Sequence, residues 1–137
     1  MQRQVRNYIA AACFGVSLAS FASYLWLFFQ YQSTRPNYPK PDLGFVHGLN
    51  NHGWYVYIND VDSTGLALLL GVFFVGFLLC FIVVPKTYSS KGIEHGLGEP
   101  GHYKALWIGA ICCCGVIIFA GKHIAALIVS QGLVLAP

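Results

Sequence analysis

Three apolar runs, each close to the length of a bilayer crossing, constrain this chain more than any other feature of its sequence. They cover residues 8–29, 63–84 and 105–131. A hydrocarbon core of about 30 Å is crossed by about 20 helical residues. Backbone amides find no water in that core, so runs of this length are expected to be helical. The sequence therefore predicts an all-α membrane protein with three transmembrane helices.

The composition agrees with lipid as the main solvent. Of the 137 residues, 56% are hydrophobic and 9% are charged, against about 25% charged residues in an ordinary soluble domain. The eight Lys and Arg residues are scattered along the chain, without the basic face that phosphate backbones require. The expected partner is the lipid bilayer, and no nucleic acid partner is expected.

The first run has two interpretations. It follows Arg3 and Arg6 and contains the small residues Ser20 and Ala22, a pattern that also fits a cleavable signal peptide. Apolar residues continue beyond that point to Phe29, which favours a retained helix over residues 8–29.

The third run is interrupted near its end. Lys122 and His123 follow 17 apolar residues, and a further apolar stretch reaches Pro137. One long helix over 105–131 is compatible with a bilayer, because a lysine near the far surface can extend its charge towards water. The alternative is a break near Gly121, with the last residues lying in the membrane interface or re-entering it.

Lys and Arg in the short connections favour one orientation. With the N-terminus in the cytoplasm, five basic residues lie inside and three outside, as the positive-inside rule prefers. The C-terminus and the connection over residues 30–62 are then extracytoplasmic, and the connection over 85–104 is cytoplasmic. The inside residues are Arg3, Arg6, Lys86, Lys91 and Lys104, and the outside residues are Arg35, Lys40 and Lys122.

The outer connection predicts a small β-hairpin-like loop. Prolines at 36, 39 and 41 favour an extended path over helix. Residues 54–58 are aromatic or β-branched and follow Asn and Gly residues, the pattern of a strand after a turn. Amphipathic rings and long cationic chains settle at membrane surfaces. We expect four interface anchors, which are Trp54, Tyr55, Tyr57 and Lys122.

The same segment resembles a stretch found in small bacterial membrane proteins of uncharacterised activity. The resemblance covers residues 31–58 and rests on Arg35-Pro36, Pro41-Asp42, the turn residues 49–53 and the strand Tyr55-Val56-Tyr57. Those proteins carry a Pro-rich stretch, an Asn-x-His-Gly turn and a strand outside the first helix. The resemblance implies a bacterial inner-membrane location and no particular activity.

Several histidines are candidate ligands. His47 and His52 could converge on one ion across a turn, although the two together fall short of a zinc shell, and His52 could instead close the turn with hydrogen bonds. His123 could hold haem or relay protons, or lie at the interface beside Lys122. We favour the structural alternatives, so no metal or cofactor is expected.

Small residues indicate where helices approach one another. Gly15, Ala19 and Ser23 recur every fourth residue in the first run, as in membrane helix contacts. Three consecutive cysteines lie at 112–114, but consecutive helical positions point about 100° apart and cannot hold one metal together. We expect Cys113 to pack together with Gly109, either on another helix of the chain or on a partner.

No carboxylate lies within any run and no catalytic motif is present in the sequence. Coupled transport and catalysis are therefore not expected. The leading hypothesis is a structural or accessory subunit that contacts other membrane subunits or copies of itself, because contiguous exposed apolar surface is usually an interface. One alternative is a haem- or metal-binding redox subunit, and another is an oligomeric pore. Their candidate residues are His47, His52, His102 and His123 for the first, and Ser17, Ser20 and Ser23 for the second.

Overall fold

Three long helices and one small sheet make up the fold. The computed structural model describes residues 2–83 and 100–135. All three helices are long and apolar enough to cross a membrane, which agrees with the expected mostly helical fold. Val84 and most of the predicted connection over 85–104 lie outside the described residues. In chain order the elements are α1 (Gln2–Thr34), a 3-10 turn (Pro41–Leu43), β1 (His47–Asn51), β2 (Trp54–Ile58), α2 (Asp60–Val83) and α3 (Pro100–Ser130).

Helix α1 extends beyond the predicted residues 8–29 at both ends. At its C-terminal end the hydroxyl groups of Ser33 and Thr34 donate to the Gln30 carbonyl, at 2.9 and 2.8 Å. These two hydroxyl groups bond back to the backbone of their own helix within its last turn, as serine and threonine often do. The helix stops before Pro36, because a residue that precedes proline is disfavoured in the helical region.

Helix α2 begins at Asp60, three residues before the predicted start at Ser63. The side chain of Asn59 accepts a hydrogen bond from the Asp62 amide at 2.8 Å. Asn59 is therefore the N-terminal cap, since an oxygen at that position satisfies one of the free amides of the first turn. The acidic residues Asp60 and Asp62 both lie in that turn.

Helix α3 is continuous through Lys122 and ends at Ser130. The helix shows no break near Gly121, so the single-helix interpretation describes this segment. Its end is a left-handed glycine turn, with Gly132 at φ 80°. The amide of Gly132 donates to Val129 O at 2.9 Å and the amide of Leu133 to Ile128 O at 3.3 Å, the two bonds of a Schellman cap.

Strands β1 and β2 form an antiparallel hairpin in which Leu49 faces Val56 and Asn50 faces Tyr55. The two turn residues, His52 and Gly53, have φ values of 51° and 93°, as a tight hairpin turn requires. Asn50 Oδ1 accepts a hydrogen bond from the Gly53 amide at 2.9 Å. The small sheet expected after the first helix is thus present, and Asn50 closes its turn.

The chain divides into two compact units, and each helix contributes to both. Unit 1 comprises Met1–Phe21 and Gly71–Gly115, and unit 2 comprises Ala22–Leu70 and Val116–Pro137. Unit 1 therefore holds one half of each helix. Unit 2 holds the other half of each helix, the hairpin and the C-terminal tail.

In unit 1 the helices approach closely through small residues. Ser17 is fully buried and its hydroxyl donates to the Phe73 carbonyl of α2 at 3.2 Å. A methyl group placed on Gly15 would overlap the Leu106 carbonyl of α3, and one placed on Gly109 would overlap the Ala12 carbonyl of α1. Hydrogen at these two positions is what permits the backbones of α1 and α3 to touch.

This contact predicts that Gly109→Ala destabilises unit 1. Overpacking of this kind costs about 1–3 kcal/mol, which outweighs the higher helix propensity of alanine. The matched control is Gly115→Ala on the same helix, because a methyl group there meets nothing within 4 Å. We expect a lower midpoint of thermal unfolding in detergent for Gly109→Ala only. Equal midpoints for the two variants would show that α1 and α3 do not touch at Gly109.

Candidate functional site

The chain between α1 and α2 packs onto the helices of unit 2. Leu49, Val56 and Ile58 of the hairpin are buried together with Tyr31 of α1 and Leu66 of α2. The amide of Tyr57 also donates to the Pro36 carbonyl at 2.8 Å. Alternate residues of a strand point to the same face, so one face of the hairpin is devoted to this apolar cluster. The hairpin is therefore fixed to the helix ends.

A buried ion pair joins the end of α1 to the start of α2. Arg35 Nη2 lies 2.5 Å from Asp62 Oδ2, and the exposed fractions of the two side chains are 26% and 7%. The contact is one between opposite charges, since neither Asp62 Oδ2 nor Arg35 Nε has a partner with hydrogen-bond geometry. Removing one member would leave an uncompensated charge out of water.

Two aromatic rings hold the guanidinium in place. The Arg35 guanidinium carbon lies 5.0 Å from the centre of the Tyr31 ring and 5.4 Å from that of the Phe45 ring. Both distances lie within the range of cation–π attraction. The Tyr31 side chain also interacts with Asp62. Arg35 is thus surrounded by one carboxylate and two ring faces, which come from α1, the connecting segment and α2.

A second pair lies nearby on the same turn of α2 but is more open to solvent. His47 Nε2 and Asp60 Oδ1 are 2.6 Å apart, and the two side chains are 31% and 46% exposed. Exposed pairs of this kind contribute about 0–1 kcal/mol. The contact joins the first residue of β1 to the first residue of α2.

The predicted histidine ligands do not converge. His47 binds Asp60, whereas His52 is exposed at the hairpin turn, five residues or about 16 Å further along an extended chain. His123 is an exposed residue of α3. Across residues 2–83 and 100–135 no group of three or more His, Cys, Asp or Glu side chains is arranged to hold a metal ion.

The C-terminal tail is bound to the start of α2. After the Gly132 turn, the Leu135 carbonyl accepts a hydrogen bond from Ser63 Oγ at 2.8 Å. The Leu135 amide donates to Thr64 Oγ1 at 3.3 Å. Both hydroxyl residues are fully buried. The tail is therefore partly covered by its contact with α2, although Leu133 remains 55% exposed.

The predicted interface anchors are open to the surroundings. Trp54 is 74% and Tyr55 51% exposed, Tyr57 is half-buried and Lys122 is exposed. Tyr55 and Tyr57 flank Gly48 on the face of the hairpin that points away from the apolar cluster, since a methyl group at Gly48 would lie 3.8 Å from both rings. Rings on that face are available to lipid or to a partner.

Two of the predicted packing residues lie at close helix contacts within the chain. Gly15 and Gly109 contact the backbone of the facing helix in unit 1, and Ala19 is 8% exposed. Ser23 and Cys113 are half-buried. Gly15 and Gly109 thus serve the packing of this chain, and many large apolar side chains of the same helices are exposed.

Sequence reasoning missed the Arg35–Asp62 pair. The sequence pattern indicates Arg35 as a basic residue of the outer connection and gives no direct sign of a partner for it. A usable signal was present, because residues that flank two consecutive antiparallel helices lie at the same end of both.

Comparison with known proteins adds no relative. No family model, no curated protein and no solved structure matches the chain. The resemblance of residues 31–58 to small bacterial membrane proteins therefore stays a prediction.

The Arg35–Asp62 pair is more buried than the His47–Asp60 pair. An Asp→Asn substitution should therefore cost more stability at residue 62 than at residue 60. Asp62→Asn removes the charge that faces Arg35, and we expect a loss of about 2–4 kcal/mol, below the range for a fully buried pair because Arg35 is partly exposed. Asp60→Asn is the matched control in the same helical turn, with an expected loss of at most about 1 kcal/mol.

Denaturant unfolding in detergent, followed by tryptophan fluorescence, measures both losses. A double variant, Arg35→Met with Asp62→Leu, is expected to recover most of the stability because it leaves no unpaired charge. The outcome against this view is an Asp62→Asn variant as stable as Asp60→Asn.

Proposed function

We propose that this chain is a multi-pass protein of the bacterial inner membrane that acts as a non-catalytic accessory or structural subunit. It contacts another membrane protein or copies of itself. The observation that carries the proposal is the exposure of α3. In the most apolar 18-residue stretch of α3, only 6% is buried inside the chain. The corresponding values are 22% for α1 and 28% for α2.

The exposed surface of α3 in unit 2 consists of large side chains. Ile118 is 75%, Phe119 83% and Leu127 63% exposed, whereas Ala125 is 1% exposed. Water is a poor solvent for such a surface, so lipid or another apolar protein surface has to cover it. Either cover, lipid or protein, is compatible with a location in a bilayer.

The connecting segment offers a second surface, of a different kind. Its exposed residues include Trp54 at 74%, Leu43 at 66% and Tyr38 at 57%, and aromatic residues are enriched at the energetic centres of protein interfaces. The Arg35–Asp62 pair and the apolar cluster hold the hairpin to the helices, so it is ordered before a partner arrives. Preorganisation lowers the entropic cost of binding. These features support a partner-binding role for the hairpin.

The orientation we propose places the N-terminus in the cytoplasm and the C-terminus outside. It is supported by the five basic residues against three in the connections, the asymmetry that sets topology in most membrane proteins. The hairpin and the C-terminal tail are then extracytoplasmic. Both belong to unit 2, as three crossings require in either orientation.

Two alternatives receive less support from the contacts. The pore hypothesis used Ser17 as lining, but its hydroxyl bonds to α2 and its side chain is buried. The redox hypothesis used His47, His52, His102 and His123. His47 begins β1 and binds Asp60, whereas His52 lies in the hairpin turn. Both alternatives stay hypotheses.

The subunit proposal predicts a species larger than one 15.0 kDa chain in mild detergent. Light scattering that separates protein from bound detergent measures the mass. A photoreactive amino acid in place of Trp54 is expected to form protein adducts in membranes of the native host, and one in place of Phe119 tests whether α3 meets lipid or protein. A monomeric species together with lipid adducts at both positions would sink the proposal.

The orientation predicts that a reporter enzyme active only outside the cytoplasm works when fused to the C-terminus. The same reporter fused before Gln2 is expected to be silent. A cytoplasmically active fluorescent reporter serves as the control and should give the opposite pattern. Activity of one reporter at both ends would place the termini on the same side and contradict three crossings.

A further inference from the structure

Two cysteines of unit 1 occupy facing positions on α1 and α2. Cys13 and Cys80 are half-buried free thiols. The helices run antiparallel here, because Arg6 Nε donates to the Val83 carbonyl at 3.1 Å and Ser17 Oγ donates to the Phe73 carbonyl. Cys80 lies between these contacts, and its sulfur is 3.4 Å from the Ala10 carbonyl. The two helices are therefore in contact at the level of Cys80.

The register of the two helices is set by the neighbouring turn. A Cβ atom at Gly76 would lie 3.7 Å from Ser17 Cβ and 3.3 Å from the Cys13 carbonyl oxygen. Cys13 precedes Ser17 by four residues, and Cys80 follows Gly76 by four. Four residues are close to one helical turn, so in an antiparallel pair the Cys13–Cys80 positions repeat the Ser17–Gly76 positions one turn away.

The Ser17 and Gly76 positions have the separation that a disulfide needs. Bridged cysteines have Cβ atoms about 3.5–4.5 Å apart, and the Ser17–Gly76 pair is at 3.7 Å. Contact between the two helices persists at the next turn through Cys80 and Ala10. We propose that Cys13 and Cys80 form an oxidation-sensitive site that links α1 to α2 by a reversible disulfide.

The co-reactant in this proposal is a peroxide. One thiolate attacks the O–O bond of hydrogen peroxide, which gives a sulfenic acid and, with the thiol proton, one water molecule. The second thiol attacks the sulfenic sulfur, forms the S–S bond and releases a second water molecule. The two thiols lose two electrons and two protons, and the peroxide is reduced to two water molecules. A thiol reductant reverses the link by exchange.

The test uses the full chain with Cys112, Cys113 and Cys114 replaced by serine, which leaves only Cys13 and Cys80. Purified protein in detergent is exposed to hydrogen peroxide, and the remaining thiols are labelled with a maleimide. We expect loss of labelling at both positions, a mass about 2 Da lower than that of the reduced chain, and recovery with dithiothreitol. Mass spectrometry of peptides should identify a link between Cys13 and Cys80 within one chain.

A register control separates this site from general thiol reactivity. In the same background, Cys13→Ser with Ser17→Cys moves one thiol a full turn away from Cys80. We expect its intramolecular oxidation to be about tenfold slower or more, because displaced groups lose their proximity advantage. Equal rates for the two variants, links only between chains, or thiols that stay reduced would each overturn the proposal. Thermal unfolding of both variants verifies that they fold alike.

Discussion

The ion pair between Arg35 and Asp62 is the contact on which the arrangement of unit 2 depends. It connects the last turn of α1 with the first turn of α2, at the two points where the connecting segment leaves and rejoins the helices. A carboxylate that is 7% exposed loses most of its hydration, so the nearby guanidinium has to compensate for it. The rings of Tyr31 and Phe45 exclude water from the pair and strengthen the attraction. The hairpin between the two charges is consequently held against the helices.

Each unit is held together by a different type of contact. In unit 1, Gly15 and Gly109 allow backbone contact between α1 and α3, and the Ser17 hydroxyl bonds to the backbone of α2. Unit 2 has the Arg35–Asp62 ion pair, the His47–Asp60 contact, an apolar cluster and hydroxyl bonds to the tail. In a helix long and apolar enough to cross a membrane, small residues let backbones approach closely. The charged contacts lie at the end of α1 and the start of α2.

The three helices could be predicted because each follows from the length of an apolar run, which can be seen directly in consecutive residues of the sequence. The hairpin was also predictable, since strand-forming residues follow turn residues locally. Helix ends were harder, because caps such as Asn59 and the hydroxyl groups of Ser33 and Thr34 act within a single turn. The Arg35–Asp62 pair could not be derived from pattern alone, as it depends on which residues meet across a connection. The same holds for the register that brings Cys13 and Cys80 to the same level.

The tail is held by its main chain, because the amide and the carbonyl of Leu135 make both bonds to α2. Every residue has a peptide group. The docking of this segment therefore depends on how many residues follow the Gly132 turn, and little on which residues they are. Drift in side chains along residues 133–135 is therefore tolerable, whereas insertion or deletion of one residue shifts the peptide group away from Ser63 and Thr64. Substitutions in this segment should therefore preserve its docking, whereas a change of its length should not.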